Sequence, residues 1–178
     1  MNLPSRATML LETPFHSRVA ERCEINDWGN WMGYTTPNAF FDVELEYFSI
    51  RSTTGVFDLS PMDKYRIQGP DAEAYLNRMA TRNISKIGIN RVGYTVWCND
   101  AGMVMDDGTT ACMAPQHYVM TTSTAAAGEV MRHLEFVRQC LCPQMDVHIM
   151  SVTENWAQFA VAGPKSRMLL NGVLDQRI

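Results

Sequence analysis

Two segments of the chain follow the same order of residue types, and this repeat constrains the fold more than any other feature. Residues 64–68 alternate in polarity like a β-strand, and Gly69-Pro70 then leads into apolar positions at helical spacing. The same order recurs over residues 158–174, around Gly163-Pro164. Glycine permits a sharp exit from a strand, and proline presets φ for the first helical turn. The repeat therefore predicts two similar halves, each built from a strand, a Gly-Pro turn and a helix.

The segments before the first repeat predict short elements of both kinds. Thr13-Pro14 favours the start of a short helix, and Asn38 favours the cap of a helix over residues 39–51. The aromatic, glycine-punctuated stretch at 27–37 has no periodicity and predicts a loop. Residues 56–60 predict a short strand or an extended turn.

The segment between the repeats is dominated by strands that hairpin turns connect. Strands are predicted at residues 92–98, 109–113, 117–121 and 145–152. Thr122 or Ser123 would cap a helix over 125–139. Because strands outnumber helices and hairpins join most of them, we expect the α+β class, with an antiparallel or mixed sheet and helices.

Composition limits the classes of function. The chain has 178 residues, 46% of them hydrophobic and 19% charged, which fits one globular domain over 1–178. A net charge of −4 without any Lys/Arg run argues against a nucleic-acid partner, and no apolar run is long enough for a membrane span. Five irregularly spaced cysteines and the lack of a signal peptide favour the cytoplasm. The chain stops directly after a predicted helix, so we expect a C-terminal truncation.

Asp106-Asp107-Gly108 is the strongest candidate for chemistry. Two adjacent carboxylates follow an apolar strand end, and a carboxyl group that faces inward has its pKa raised by burial and by its neighbour's charge. Such a group can hold or exchange a proton. The alternative is an Asp-Gly hairpin turn with both carboxylates in water. Spacing alone leaves both interpretations open.

Other polar and aromatic groups carry weaker signals. His133 and His148 could form a metal set with Cys140 and Cys142, but their spacing matches no standard zinc pattern. The chain has no P-loop, no dinucleotide-binding glycine motif and no nucleophile elbow. A group of aromatic residues could form either the floor of a pocket for a flat heterocycle or part of the core. This group consists of Trp28, Trp31, Tyr34, Tyr94 and Trp97.

Five stretches of the chain together carry a family resemblance. They are Thr13-Pro14-Phe15-His16, Gly55-Val56-Phe57-Asp58-Leu59-Ser60-Pro61-Met62, Ile67-Gln68-Gly69-Pro70-Asp71-Ala72, residues 99–108 and Val161-Ala162-Gly163-Pro164. In this order they make the chain resemble the folate-binding aminomethyltransferase family, which includes the glycine cleavage T-protein. Residues 76–78, 105–108, 120–125 and 153–157 are most similar to the T-protein-like part of the sarcosine oxidase alpha subunit. Met103, Pro61 and Thr121 depart from the T-protein pattern, which argues against the glycine cleavage role itself.

The resemblance implies the family's α+β fold, tetrahydrofolate as the cofactor, and one-carbon transfer from a small methylated amine such as sarcosine. Asp106 matches the family's essential aspartate, which would stabilise positive charge as it develops near the reacting folate nitrogens. Met62 and Tyr94 match positions that line the pterin pocket, and Thr121 matches a polar pocket position. No metal ligand is expected.

The family is about twice as long as this chain, so the resemblance covers its N-terminal half. Two alternatives to an enzyme therefore stay open. One is a non-catalytic folate-binding or assembly module, and the other is an inactive partial chain. The expected partners are folate and a methylated donor, together with a second copy, the missing C-terminal half or other subunits.

Overall fold

A computed structural model of the chain describes residues 9–123 and 126–178. Its strands are β1 (Leu11–Glu12), β2 (Trp28–Trp31), β3 (Tyr34–Pro37), β4 (Gly55–Asp58), β5 (Lys64–Gln68), β6 (Arg91–Cys98), β7 (Val104–Ala114), β8 (His117–Thr122), β9 (His148–Ser151) and β10 (Phe159–Ala162). Its α-helices are α1 (His16–Ala20), α2 (Val43–Ser52), α3 (Ala72–Met79), α4 (Ala127–Phe136) and α5 (Ser166–Val173). A π-helical turn at Val137–Leu141 continues α4. The α+β class is confirmed.

The chain divides into two compact units. Unit 1 comprises the described residues up to Pro61 together with Ala157–Ile178, and unit 2 is Met62–Trp156. Unit 1 contains a three-stranded sheet in the order β1-β3-β2 and the antiparallel pair β10-β4. Unit 2 contains one antiparallel sheet in the order β6-β7-β8-β5-β9. A single domain over 1–178 stays a prediction.

The repeat predicted from the sequence is present once in each unit. In unit 2, β5 leads through Gly69 into α3, and in unit 1, β10 leads through Gly163 into α5. The two glycines share a left-handed backbone, with φ of 136° and 130°. A Cβ atom would collide with the carbonyl oxygen of Asp146 at Gly69 and with that of Thr53 at Gly163. Both turns therefore require glycine for conformation and for space.

The main hydrophobic core belongs to unit 2. Its sheet packs one face against α3 and α4, and the four positions predicted to face inward on α3 are all buried. These are Ala72, Tyr75, Leu76 and Met79. The Tyr75 hydroxyl donates a hydrogen bond of 2.7 Å to the carbonyl oxygen of Leu134 on α4, so the polar tip of a buried ring has a partner. This face of the sheet is called the core face below, and the opposite one the open face.

The predicted loop at 27–37 is wrong, because this segment forms the hairpin β2–β3. Met32 and Gly33, the two turn residues, have φ of 55° and 86°. Two consecutive left-handed residues form the tight turn that matches the twist of paired strands. The Asn30 side chain accepts a hydrogen bond of 2.9 Å from the Gly33 amide and so stabilises the turn. The glycine that suggested a loop is the residue that closes the hairpin.

The boundaries of two predicted helices also differ. The helix predicted over 39–51 begins at Val43, because Asp42 is its N-cap and accepts a 2.8 Å hydrogen bond from the Leu45 amide. Asn38, the predicted cap, instead donates to the Asp27 carboxylate at 3.0 Å.

In α4 the predicted start at residue 125 lies outside the described residues. Thr122, one of the two predicted caps, is the last residue of β8. Val130, Leu134 and Val137, the apolar positions of this helix, are buried.

None of the helices within the described ranges is long and apolar enough to cross a bilayer. All five cysteines are free of disulfides.

Candidate functional site

The two carboxylates of Asp106-Asp107-Gly108 lie within a strand and not at its end. β7 runs without interruption from Val104 to Ala114, and Asp106, Asp107 and Gly108 pair with Trp97, Val96 and Thr95 of β6. The hairpin-turn interpretation of this motif is therefore wrong. Because side chains alternate between the faces of a strand, neighbours at 106 and 107 point to opposite sides of the sheet.

Asp106 points to the core face. It is 6% exposed, it lies opposite the fully buried Trp97, and its Oδ2 accepts a hydrogen bond of 3.2 Å from the Ser123 amide. The Asp106 carboxylate also contributes to the raised pKa of Tyr65, a residue of β5 on the same face. Asp106 thus fixes the chain after β8 and belongs to the interior of unit 2.

The interior position of Tyr65 predicts a loss of stability at high pH. Burial, assisted by the charges of Asp63 and Asp106, raises the pKa of Tyr65 from 10.0 to about 12. The unfolded chain releases this proton near pH 10, whereas the folded chain holds it until about pH 12. The stability that this difference contributes is therefore complete below pH 10 and is lost as the pH rises towards 12.

Urea denaturation from neutral to alkaline pH measures this effect. We expect Tyr65→Phe to show a shallower fall in unfolding free energy than the wild type above pH 10. Burial also raises the pKa values of Tyr75 and Tyr118, so part of the slope remains in both proteins. Equal slopes in the two proteins would contradict the buried position of the Tyr65 hydroxyl.

Asp107 points to the open face, where two of the residues predicted to bind the cofactor are its neighbours on the adjacent strands. Tyr94 on β6 and Thr121 on β8 both pair with Thr109 of β7, two residues further along the strand from Asp107. Each is therefore a diagonal neighbour of Asp107 on one face, at about 7–8 Å between Cα atoms. Tyr94 is 60% exposed, and Asp107 and Thr121 are half-buried. This group is called the Asp107 triangle below.

Asp106 is the predicted site residue that the structure does not bring into this group. Tyr94 and Thr121 occupy the open face, and Asp106 occupies the core face. The role of Asp106 as the catalytic carboxylate stays a prediction. The geometry makes Asp107 an alternative candidate for that role. This difference between Asp106 and Asp107 follows from the sequence once residues 104–114 are known to form a strand. Every second residue of a strand lies on the same face, so adjacent residues lie on opposite faces.

Lys64 lies on the open face next to Thr121, and Met62 precedes it in the turn before β5. Lys64 pairs with Thr121, is 1% exposed, and its ammonium group donates a hydrogen bond of 2.7 Å to the Met62 carbonyl oxygen. This hydrogen bond ties the main chain at Met62 to the side chain of Lys64. Met62, the fourth predicted site residue, is half-buried in the turn that precedes β5. Sequence reasoning missed Lys64, because nothing in the local pattern predicts that a lysine is buried.

Gly108 lets β7 and β8 approach each other closely. A Cβ atom at Gly108 would collide with the carbonyl oxygen of Thr121 on β8. Position 108 has the same parity as Asp106, so a side chain here would point to the core face, and its absence leaves room for the backbone of β8. The glycine of the motif is thus a packing requirement of the sheet and not a turn signal.

The remaining candidate groups serve the fold. Trp97 is fully buried in the core of unit 2, whereas Trp28, Trp31 and Tyr34 belong to the β2–β3 hairpin of unit 1. Within residues 9–123 and 126–178, no three His, Cys, Asp or Glu side chains converge as metal ligands would.

A family model decides the relationship of the chain to known proteins. The model described as the GCVT N-terminal domain matches residues 17–178. The chain belongs to this family. The resemblance drawn from the five sequence stretches is confirmed, and so is its restriction to the N-terminal part of the longer relatives.

The relatives are oxidase subunits and aminomethyltransferases. The chain is 41% identical to the sarcosine oxidase subunit alpha of Rhizobium meliloti (strain 1021) over 136 residues, which are 76% of this chain and 14% of that protein. It is 28% identical to the aminomethyltransferase of Listeria monocytogenes serotype 4a (strain HCC23) over 169 residues, which are 94% of this chain and 44% of that protein.

A solved structure shows the same fold. The glycine cleavage system aminomethyltransferase T from Bartonella henselae superposes with a TM-score of 0.80 at 18% identity, covering 92% of this chain and 43% of that one. The chain thus spans less than half the length of each relative named here.

Proposed function

We propose that the chain binds tetrahydrofolate on the open face of the unit 2 sheet and supports one-carbon transfer to it from a small methylated amine such as sarcosine. The observation that carries this proposal is the Asp107 triangle, in a chain that belongs to the GCVT N-terminal domain family. The names of the relatives, an aminomethyltransferase and a sarcosine oxidase subunit, support the reaction class and the donor.

The residues of the open face have the chemistry that a reduced pterin needs. A flat ring with a polar edge is held by an aromatic side chain together with a few hydrogen-bonding groups. Tyr94 offers an exposed ring, Thr121 a hydroxyl group, and Met62 a thioether and a backbone segment that Lys64 anchors. When bound, the folate supplies the nitrogen atoms that accept the one-carbon unit.

We assign the charge-stabilising carboxylate to Asp107. A carboxylate beside amine nitrogens stabilises positive charge that develops there during transfer, and it acts without rearrangement if the strand holds it in place. Asp107 lies between Tyr94 and Thr121 on neighbouring strands, so it is next to whatever those two residues bind. Asp106, which the family resemblance suggested, would act by holding Ser123 and supporting β7 from the core face.

An exposed apolar surface in unit 1 supports a second candidate, the partial chain that needs another polypeptide. Helices α2 and α5 bury none of their residues, and Val43, Met168 and Val173 are 71%, 69% and 70% exposed. Large exposed apolar surfaces often mark sites of contact with another protein. We therefore propose that the active form includes further polypeptide, such as other oxidase subunits, a C-terminal half or a second copy, and that it is cytoplasmic.

Calorimetric titration with tetrahydrofolate tests the proposed cofactor. We expect the chain to bind it, and we expect Tyr94→Ala to weaken the affinity roughly tenfold, because a ring that stacks on a flat heterocycle contributes about that much. Tyr47→Ala is the matched control, since Tyr47 is similarly exposed on α2 of unit 1.

The outcomes separate the two parts of the proposal. A cooperatively folded chain that binds no tetrahydrofolate would contradict folate binding. Tetrahydrofolate binding that Tyr94→Ala leaves unchanged would contradict the assignment of the open face. Binding without transfer, in a complete assembly of the protein, would favour the non-catalytic module.

A further inference from the structure

Strand β9 forms one edge of the unit 2 sheet, and within the described ranges it pairs only with β5. The Val152 amide donates a hydrogen bond of 2.8 Å to the carbonyl oxygen of Lys64, directly opposite it. Hydrogen-bonded pairs alternate along antiparallel strands, so the main-chain groups of Met150 also face β5. The amide and carbonyl groups of Ile149 and Ser151 therefore point outward, away from the sheet.

The outer side of β9 lacks the residues that commonly keep an edge strand from pairing. Natural edge strands are protected by lysine and other charged side chains, by proline, or by a covering segment. The strand consists of His148, Ile149, Met150 and Ser151, of which only His148 can carry a charge. Met150 is 52% exposed. The edge is thus open to pairing with another extended segment.

The opposite edge of the sheet is protected differently. There the segment after α3 runs beside β6, because the Thr81 amide donates a hydrogen bond of 2.9 Å to the Val96 carbonyl oxygen and Ala80 pairs with Trp97. The two edges of one sheet therefore differ, and β9 is the one that offers its main chain.

A cavity of about 370 Å³ extends around the outer side of β9. Its lining includes Arg66 on the open face, Ile149 and Met150 of β9, and Glu135 and Arg138 at the end of α4. Because α4 packs against the core face, a cavity lined from both faces has to pass the free edge of the sheet. The main chain of β9 thus lies in a groove that has side chains on either side.

Arg66 supplies the unmatched charge of this groove. Its Nη2 atom donates to the Met150 sulfur at 3.4 Å, and its Nε atom has no acceptor among the described residues. Thioether sulfur is a weak acceptor. The carboxylate of Glu135 already accepts hydrogen bonds of 3.0 and 2.8 Å from Arg138. An acidic side chain is therefore the partner that Arg66 lacks.

We propose that β9 binds an extended segment of a partner polypeptide, which joins the sheet as a sixth strand and places an acidic side chain against Arg66. In strand addition the main-chain hydrogen bonds, here from Ile149 and Ser151, give affinity, and alternate side chains give specificity. This site is separate from the proposed folate site and does not depend on folate binding.

The spacing of the sheet fits an acidic residue at one position of the added strand. A residue opposite Met150 points to the open face and lies two strand spacings from Arg66, at about 10 Å between Cα atoms. The Arg66 side chain already reaches the Met150 sulfur, so a glutamate on the added strand completes the distance. The residues before and after that glutamate point towards α4 and the core face.

Charge distinguishes this partner from a second copy of the chain. Antiparallel pairing of two β9 strands would form one continuous sheet with both open faces on the same side. The strand brought across the edge would then be residues 148–151, which contain no carboxylate. Two Arg66 side chains would approach each other without a counter-ion, which is unfavourable.

Two capped peptides, Thr-Val-Glu-Val-Thr and Thr-Val-Gln-Val-Thr, test the site by NMR titration. Each reads the same in both directions, so its central residue faces Arg66 in either strand orientation. We expect the glutamate peptide to bind about tenfold more tightly than the glutamine peptide. Arg66→Gln should remove this difference and leave the affinity for the glutamine peptide unchanged. Arg91→Gln, at an exposed arginine of β6, is the control and should change neither affinity.

Hydrogen exchange tests whether the peptide adds as a strand. We expect the glutamate peptide to slow exchange of the Ile149 and Ser151 amides. Ser151→Pro removes one outward amide and leaves the ladder with β5 intact, so it should weaken both peptides at least about tenfold. Ser151→Thr keeps the amide and should bind both peptides as the wild type does.

Each outcome decides one part of the proposal. No binding of the glutamate peptide at millimolar concentration would overturn the partner site, and binding that leaves exchange at Ile149 and Ser151 unchanged would overturn strand addition. Equal affinities for the two peptides would overturn the role of Arg66. A dimer that forms without peptide and that Ser151→Pro dissociates would assign the edge to a second copy and overturn the partner. If Ser151→Pro does not fold, amide exchange and the Arg66→Gln titrations still decide.

Discussion

Replacing Asp107 by asparagine is expected to lower the rate of one-carbon transfer by about 10²–10⁴-fold, the range for loss of a positioned acid–base or charge-stabilising group. Asparagine keeps the shape of the side chain but removes the negative charge that faces Tyr94 and Thr121 on the open face. Tetrahydrofolate affinity should change much less than the rate, because charge develops mainly during transfer. The measurement is the rate of one-carbon transfer from sarcosine to tetrahydrofolate.

Asp106→Asn is the matched variant for this experiment. It changes the same chemical group one residue away on the core face, where the amide oxygen of asparagine can still accept the Ser123 hydrogen bond. We expect a lower unfolding free energy and a transfer rate within about tenfold of the wild type. The reverse result, a rate lost in Asp106→Asn and kept in Asp107→Asn, would restore Asp106 as the catalytic carboxylate.

The second large effect concerns stability. Trp97→Ala is expected to lower the unfolding free energy by about 3–5 kcal/mol, because it removes the largest fully buried side chain of unit 2 and leaves a cavity. Trp97 lies on β6 opposite Asp106, on the core face that α3 and α4 cover. Urea denaturation followed by circular dichroism measures the loss.

Tyr94→Ala provides the comparison on the same strand. Tyr94 is three residues from Trp97 on β6, points to the open face and is 60% exposed. Its removal should change the unfolding free energy by no more than about 0.5 kcal/mol, as for most surface substitutions. Similar losses in Trp97→Ala and Tyr94→Ala would contradict the alternation of β6 between a buried and an exposed face.

Local chemistry made several elements predictable. The strand–Gly-Pro–helix repeat was predictable because both glycines need left-handed backbone and a free approach to a carbonyl, which no other residue combines. The inward face of α3 followed from helical spacing alone. The hairpin at 28–37 was missed because Gly33 is compatible with a loop and with a tight turn, and only strand pairing distinguishes them.

The candidate site was only partly predictable for a related reason. Sequence singled out the Asp106-Asp107 pair, but whether it lay in a turn or a strand depended on pairing with β6 and β8. Pairing in turn decides which carboxylate shares a face with Tyr94 and Thr121. Lys64 gave no local signal, because its burial arises from its neighbours on β8 and in the preceding turn.

The sequence by itself determined the fold class, the repeated turns, the inward face of α3 and the family to which the chain belongs. These depend on backbone sterics, on spacing within one element, or on motifs read in order. Only the tertiary structure decided that Asp107 and not Asp106 joins Tyr94 and Thr121, and that Lys64 is buried beside Thr121. The physical reason is that strand register links residues far apart in the chain, and a shift of one residue moves every side chain to the opposite face.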